Sequence, residues 1–514
     1  MPEYLSPGVY VEEINSGPRP IEGVGTAMAA FVGFAPSGPA NTPMLITSWQ
    51  QYVETFGALE EGGVRNPHMT GTYLSHSIYG YFNNGGTRCY VTRVVPTGGK
   101  DEKPVSLQLP SRASKAVPSL TIAAKGAPSS DIQVEVTKPP TEESDEGSFN
   151  LRVKIGTTEE VFENVIVGKP GKGAKSRALA EVVAQSQIIT ITEEKGAQAP
   201  ELGSFVIKAA QGSAMPMVQS THFVGDVSTR TGLEGLEIAE DVTMLLAPDL
   251  MSAFEQGMID KDGVKAVQIA MMNHCERVKG RMAIIDPLPN MSPQDVKKWR
   301  EKEANFDSNA AALYYPWIKV NGPDGKPLAV PPSGHVAGIW ARNDAERGVH
   351  KAPANEVVRG ALDPVTQVTK GEQDTLNPSG INCIRTFTGM GIRVWGARTL
   401  SSDPAWRYVP VRRLFNYVEK SIERGTQWVV FEPNDQNLWE RVKRDVNAFL
   451  TVVWREGALF GANPAQAFFV KCDASNNPPE TRDMGRLYVE IGIAPVKPAE
   501  FVILQFSQYA GGGS

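Results

Sequence analysis

The 514-residue sequence has no excess of positive charge, no long apolar run and no closely spaced cysteines. Its 51 Lys and Arg residues against 57 Asp and Glu residues give a formal net charge of −6. Because proteins that bind nucleic acid usually carry a basic excess, we exclude nucleic acid as a direct partner. The apolar runs fall short of the roughly 18 residues that a membrane helix needs, so no membrane insertion is expected.

Cysteine and histidine are both scarce. The four cysteines Cys89, Cys275, Cys383 and Cys472 stand far apart, which is typical of reduced, buried thiols in a cytoplasmic protein. The six histidines form no pair four residues apart, so we expect neither a metal nor another cofactor. The first residues carry neither the basic nor the apolar segment of a signal peptide, and we expect assembly in the bacterial cytoplasm.

Aromatic side chains are nearly missing from residues 96–220, which contain three phenylalanines and no tryptophan, tyrosine or histidine. Within this stretch, residues 132–136 and 151–155 alternate apolar and polar side chains, a pattern typical of half-buried strands. The chain length predicts about three domains. We interpret residues 96–220 as one of them, a peripheral, mostly β insertion with a thin core.

The remainder of the sequence predicts an α/β and α+β multidomain protein. After the insertion, buried-strand runs at 242–246 and 282–285 flank a helical stripe from Val264 to Val278. Repeated units of this kind predict a parallel sheet covered by helices. The last third indicates an α+β arrangement, with helical faces at 411–422 and 438–453 and strands at 428–431, 468–470 and 487–493.

A histidine motif raises the question of catalysis. Residues 333–338 (SGHVAG) resemble the histidine-bearing helix start of subtilisin-like proteases, and Asp249 and Asp286 follow buried strands, where an orienting acid could lie. No nucleophilic serine motif follows His335, and acyl transfer through a covalent intermediate needs that attacking group. We therefore favour a fold-supporting role for His335 and keep a subtilisin-like serine hydrolase as the alternative.

Both ends of the chain carry short β-prone segments fenced by proline and glycine. An uncharged apolar strand near a terminus is prone to aggregate unless it has a partner. Each segment either pairs within its own subunit or forms an arm that adds a strand to a neighbour's sheet, which produces rings or helical filaments. The arm residues are Val9, Tyr10, Val11 and Ile14 near the start and Phe501, Val502, Ile503, Leu504 and Phe506 near the end.

Several motifs, in this order along the chain, resemble those of contractile tail sheath proteins. They are residues 6–13 (SPGVYVEE), 30–36 (AFVGFAP), 81–88 (YFNNGGTR), 332–338 (PSGHVAG) with 345–350 (AERGVH), and 377–382 (NPSGIN). The resemblance covers about residues 1–95 and 230–514. These proteins form the sheaths of phage tails, R-type pyocins and extracellular contractile injection systems.

The resemblance implies a division of the chain into six segments. In this family the middle domain is described as subtilisin-like, which would explain the His335 motif without protease activity. The expected segments are an N-terminal arm (1–20), the N-terminal part of the core sheath domain (21–95), a variable, surface-exposed β-rich insertion (96–220), an α/β subtilisin-like domain without a triad (221–375), an α+β C-terminal domain (376–494) and a C-terminal arm (495–514).

The resemblance also implies a structural role, without enzymatic activity. Subunits would stack as six-fold rings in a helix around an inner tube, joined by their arms, and would contract from a metastable state to drive the tube through a target envelope. Further partners would be baseplate and tail-terminator or cap proteins. Arg441, Lys443 and Arg444 are candidates for a tube-facing surface, with a merely solvated helix face as the alternative. A scaffold of a non-contractile filament is a further alternative function.

Overall fold

The computed structural model divides the chain into two compact units. Among the described residues, the C-terminal unit contains 21–26, 347–352 and 410–505, and the central unit contains the rest up to residue 409. The structure describes residues 21–59, 64–96, 106–112, 118–124, 131–140, 145–155, 158–171, 174–184, 186, 188–193, 198–208 and 217–505.

In the described part of the central unit, nine strands form one mixed sheet, which we call the central sheet. Its six inner strands run parallel to one another. Met44–Ile46 adds one antiparallel strand at one edge. At the other edge Gly391–Val394 and then Glu356–Val357 are added, each antiparallel to the strand before it. Several inner strands are buried along their whole length, as strands covered by helices on both faces must be. In sheet order the strands are Glu356–Val357, Gly391–Val394, Ile381–Phe387, Ala311–Tyr315, Met282–Ile285, Met244–Leu246, Ala29–Gly33, Cys89–Arg93 and Met44–Ile46.

The central sheet confirms the predicted parallel strand–helix pattern and extends past the expected boundary at residues 375/376. Ile381–Phe387 pairs with Ala311–Tyr315 in the same sheet, and the compact units divide at residues 409/410. Both edge strands are short, with three residues in Met44–Ile46 and two in Glu356–Val357. A smaller three-stranded sheet joins Pro327–Val330, Ile318–Asn321 and Ala361–Pro364, and Ala58–Leu59 pairs with Arg65–Asn66.

Several helices of the central unit begin at a side-chain cap. The Ser48 hydroxyl accepts a hydrogen bond from Gln51 N, and Ser292 and Thr369 form capping boxes. The α-helices are Trp49–Phe56, Leu74–Asn83, Ser220–Val224, Asp249–Glu255, Lys261–Val278, Pro293–Lys298, Ser333–Arg347 and Lys370–Leu376, with short 3₁₀ or π turns at Glu234–Ile238, Trp299–Glu303 and Asn377–Ser379.

The insertion has its own core. In Ile132–Thr137 the buried and exposed side chains alternate, as the sequence predicted, and the buried ones pack with Leu120, Phe149 and Leu151. One sheet contains Arg177–Ala178, Thr158–Ile166, Phe149–Ile155, Ile132–Thr137 and Gly203–Ile207; a second contains Ile189–Glu193, Pro118–Ala124 and Ser106–Pro110; one short helix spans Leu179–Val183.

The C-terminal unit packs two long helices and one hairpin around a core that includes Val442, Phe449 and Leu450. The strands predicted at 468–470 and 487–493 are found at Phe468–Lys471 and Glu490–Ile493, and they pair with each other. The predicted strand at 428–431 is wrong: Gln427–Val429 is a 3₁₀ turn, and Phe431 has φ +69°, which is incompatible with an extended strand. The α-helices are Val409–Gly425, Gln436–Arg455, Pro464–Ala467 and Pro479–Asp483.

Within the described residues, no helix combines the length and the apolarity needed to span a membrane.

Candidate functional site

His335 lies in the first turn of Ser333–Arg347 and is only 2% exposed. Burial, followed by the nearby His76, lowers the pKa of His335 to about 4, so the imidazole is neutral at pH 7. Its Nδ1 atom has no hydrogen-bond partner among the described residues. A triad histidine needs an acid at this ring edge, so the geometry supports the fold-supporting interpretation rather than the hydrolase.

Asp286 binds the start of the His335 helix and not the imidazole. Its carboxylate accepts hydrogen bonds from Ser333 N at 2.9 Å and Ser333 Oγ at 2.5 Å. Burial raises the pKa of Asp286 to about 7, against the opposing effect of these hydrogen bonds. This acid therefore joins the end of strand Met282–Ile285 to a helix N-terminus.

Asp249 connects three segments in the same way. It accepts hydrogen bonds from Phe34 N at 2.6 Å and Tyr73 N at 2.5 Å, and a longer one from Leu74 N. Burial raises the pKa of this carboxyl to about 7. Both acids that sequence reasoning considered for a triad are thus engaged with the backbone at the ends of elements.

The glycines of the 333–338 motif allow two helices to cross closely. A Cβ atom on Gly334 would overlap the backbone of Ser77, and one on Gly338 would overlap the carbonyl oxygen of Tyr81. From the other helix, a Cβ atom on Gly80 would overlap the His335 ring. The motif therefore specifies the close contact between the helices Leu74–Asn83 and Ser333–Arg347. This packing role explains the presence of the His335 motif without catalysis.

Buried asparagine side chains stabilise the motifs at residues 81–88 and 377–382. Asn84 donates to Gly80 O at 2.9 Å and accepts from Arg359 N at 2.9 Å. Asn382 donates to Leu313 O at 3.1 Å and accepts from Arg398 N at 2.7 Å. Each buried amide joins segments that are distant in sequence, so these motifs maintain the fold of the central unit.

The C-terminal segment, in contrast to these buried motifs, exposes apolar side chains to solvent. Backbone hydrogen bonds continue as far as Val496, whose N–H donates to Ala458 O at 3.1 Å. Beyond it, Phe501, Val502, Ile503 and Leu504 lie outside any strand and are 71–80% exposed. Four consecutive exposed apolar side chains mark a candidate interaction segment. Phe506 and the N-terminal arm residues Val9, Tyr10, Val11 and Ile14 lie outside the described residues.

The hairpin Phe468–Lys471/Glu490–Ile493 offers a surface to which such a segment could bind. Phe469 points to the solvent side, directly against Gly492, and is 53% exposed; Phe460, whose N–H donates to Ala494 O, is 74% exposed. Sequence reasoning missed both phenylalanines. The alternation of a strand does require one of the adjacent Phe468 and Phe469 to face outward.

The three basic residues proposed to face a tube lie on Gln436–Arg455, and each has a nearby acid. Arg441 pairs with Glu432 at 3.0 Å, Lys443 with Glu440 at 2.6 Å, and Arg444 with Asp445 at 3.2 Å. The Arg441–Glu432 and Lys443–Glu440 pairs are solvent-accessible and contribute about 0–1 kcal/mol each, whereas Asp445 is buried. Within the described residues, no group of three side chains suited to a metal ion is present.

Comparison with known proteins gives consistent matches. The model of the phage tail sheath protein central domain matches residues 253–400, and that of the phage tail sheath C-terminal domain matches 401–508. A tail sheath protein of Burkholderia phage BcepMu is 23% identical over 96% of this chain and 94% of its own length. A tail sheath protein of Vibrio phage KVP40 is 29% identical over 34% of this chain, and the match spans 26% of that protein.

A solved structure gives the same result for the fold. The helical sheath of the anti-feeding prophage in its contracted state has a TM-score of 0.59 and 26% identity, covering 99% of this chain and all of that one.

Proposed function

Since this chain belongs to the phage tail sheath family, we propose that it is the structural subunit of a contractile sheath. It polymerises helically around an inner tube and contracts to drive that tube through a target cell envelope. The observation that carries the proposal is the exposed apolar segment at residues 501–504, which lies just beyond Val496 and the last backbone hydrogen bond of the C-terminal unit.

The arms complete the sheet of a neighbouring subunit. A hairpin of two strands is only marginally stable alone, and it gains main-chain hydrogen bonds when further strands are added. Phe501, Val502, Ile503, Leu504 and Phe506 form one arm, and Val9, Tyr10, Val11 and Ile14 form the other. The exposed ring of Phe469 provides apolar contact area beside the hairpin that receives them.

The partners follow from this role. The subunit binds copies of itself in six-fold rings, an inner tube, a baseplate and a terminator or cap protein, and it assembles in the cytoplasm as part of a phage tail or a phage-tail-like particle. Arg441, Lys443 and Arg444 contact the tube through exchangeable ion pairs, which are weak enough individually to allow release. The middle domain is subtilisin-like in form and has no hydrolytic role.

Negative-stain microscopy of the purified protein tests the proposal. We expect tubes or rings, and we expect deletion of residues 499–514, or of 1–20, to yield folded chains that no longer polymerise. The point variant Ile503→Ser with Leu504→Ser should act like the tail deletion. Val161→Ser, at an exposed apolar position of the insertion, is the matched control and should leave the tubes intact. Normal tubes from both deletions would contradict arm exchange.

A further inference from the structure

Residues 21–26, which we call the strap, run along one face of helix Val409–Gly425 without forming a helix or a strand. The strap contacts every fourth residue of that helix, at Arg413, Tyr417, Ser421 and Gly425. Five steps of extended chain cover about 17 Å, and the helical rise from Arg413 to Gly425 is about 18 Å. The strap is therefore an extended segment that lies antiparallel to the helix.

Glycines on both sides allow the strap to approach the helix closely. A Cβ atom on Gly425 would lie 2.6 Å from Ile21 Cγ1, and one on Gly23 would overlap the Tyr417 hydroxyl. Ile21 is 8% exposed and belongs to the core of the C-terminal unit. The helix face is thus shaped to receive this segment, with a seat for one apolar side chain at the Ile21 end.

Hydrogen bonds fix the position of the strap along the helix. Val24 N donates to Ser421 Oγ at 3.1 Å. Arg413 Nη2 donates to Thr26 O at 3.0 Å. Because each bond joins the backbone of the strap to a particular side chain of the helix, a shift by one residue would break both.

The strap is held less firmly than the chain that follows it. Among its six described residues only Ile21 is buried, and Glu22, Gly23 and Gly25 are exposed. Ala29–Gly33, in contrast, is buried throughout and paired with a strand on each side. A segment with few buried apolar side chains and an exposed backbone opens at a small fraction of the free energy of global unfolding. The strap can therefore detach while the rest of the unit stays folded.

We propose that the strap is bound in the unassembled chain and detaches when a neighbouring subunit takes up the N-terminal arm; this rests on the proposed function. Residues 1–20, the arm, join the strap at Ile21. Release moves the fixed end of the arm to Ala27, whose carbonyl oxygen accepts from the Tyr81 hydroxyl at 2.8 Å. It also frees about 20 Å of extended chain. The contact through the arm then persists while subunits change position, as contraction requires.

A disulfide across the Ile21–Gly425 contact measures whether the strap is bound. A Cβ atom at residue 425 would lie 3.0 Å from Ile21 Cβ, close to disulfide geometry, and the four native cysteines are buried. In Ile21→Cys with Gly425→Cys, we expect the disulfide to form at least about tenfold faster in the unassembled chain than in tubes assembled reduced, where the two thiols lie apart. Equal rates would overturn release, and no disulfide in the unassembled chain would overturn binding of the strap.

The same double variant tests whether assembly needs release. Oxidised before assembly, it should melt no lower than its reduced form but should require a concentration at least about tenfold higher to polymerise, because the strap cannot open. Equal polymerisation of the two forms would overturn the proposal and leave the proposed function standing. A wild-type chain that forms no polymer under any condition would overturn the proposed function and the role of the strap together.

A milder substitution has the opposite expected sign. Ser421→Ala removes the acceptor of Val24 N, and losing one hydrogen bond weakens strap binding by up to about tenfold. Because the bound strap competes with assembly, this variant should polymerise at a concentration up to about tenfold lower than wild type. Thr451→Ala on the other long helix is the matched control, since Ser421 and Thr451 each donate to the carbonyl four residues earlier at 2.7 Å. Polymerisation of Ser421→Ala at the wild-type concentration or above would overturn the proposal.

Discussion

The central unit and the C-terminal unit place their polar and apolar side chains in contrasting ways. In the central unit, buried groups such as Asp249, Asp286 and Asn382 bind the backbone of distant segments. In the C-terminal unit, apolar side chains such as Phe431, Phe460 and Ile503 face solvent. Folding alone explains the first arrangement and leaves the second unexplained, so these exposed apolar side chains are the candidates for contacts with other chains.

The largest effect should come from the helix crossing of the central unit. Gly334→Val would push a branched side chain into the Ser77 backbone, and we expect a loss of about 3 kcal/mol or more, enough to make the protein insoluble. Solubility and thermal unfolding measure it. Gly371→Ala, in a helix where nothing lies within 4 Å of the added Cβ, is the control and should not destabilise. A soluble, normally folded Gly334→Val variant would contradict the close crossing.

Two adjacent phenylalanines test the contrast within a single strand. Phe468 belongs to the core of the C-terminal unit, so Phe468→Ala should cost about 3 kcal/mol of unfolding free energy. Phe469 faces solvent, so Phe469→Ala should cost less than about 1 kcal/mol but should weaken polymerisation. Denaturant titration and microscopy of the same two preparations check this. Equal losses of stability would show that Phe469 serves the fold.

The pH dependence of stability should reveal Asp286, one of the two buried acids among the described residues of the central unit. Because the folded pKa of Asp286 is about 7, well above its ordinary value, the folded state holds the proton more tightly between about pH 4 and pH 7. Its contribution to stability therefore decreases as the pH rises across that range and levels off above it. In Asp286→Asn an amide oxygen can still accept from Ser333 N, and the slope should change by at most about 1.4 kcal/mol per pH unit. Identical pH profiles for this variant and the exposed Asp374→Asn control would contradict the assignment.

The smallest effect should come from the ion pairs of the C-terminal unit. Lys443→Gln removes an exposed pair with Glu440, and we expect a change of less than about 0.5 kcal/mol in unfolding free energy. Thermal melting measures it, with Lys208→Gln, which removes the exposed pair with Asp131 in the insertion, as the matched control. A loss of several kcal/mol would mean that this pair supports the fold and is not an exchangeable surface contact.

Local patterns predicted many elements because their cause is local. The helical stripe from Val264 to Val278 and the apolar face at 438–453 both form the expected helices, Lys261–Val278 and Gln436–Arg455. Residues 428–431 are as β-prone as a true strand, yet Gln427–Val429 forms a turn, because a strand also needs a neighbouring strand to pair with. Pairing with distant segments cannot be seen in a short stretch of sequence.

The candidate site was predictable to a similar extent. The apolar residues 501–504 were expected to form an arm, and their exposure agrees with an unpaired segment. The sequence also predicted that Asp286 follows a strand. Whether its carboxylate binds His335 or the N–H of Ser333 depends on the orientation of the helix start relative to the strand, which sequence spacing does not determine. Phe460 became recognisable only when the register of the C-terminal strands was known.

The short edge strands of the central sheet have a consequence for the fidelity of assembly. Many copies of one chain would be synthesised together, and any long open edge would pair indiscriminately with its equivalents. With three residues at one edge and two at the other, the central sheet offers almost no template for such errors. If arms are exchanged as proposed, the central sheet therefore does not compete with the hairpin of the C-terminal unit for them.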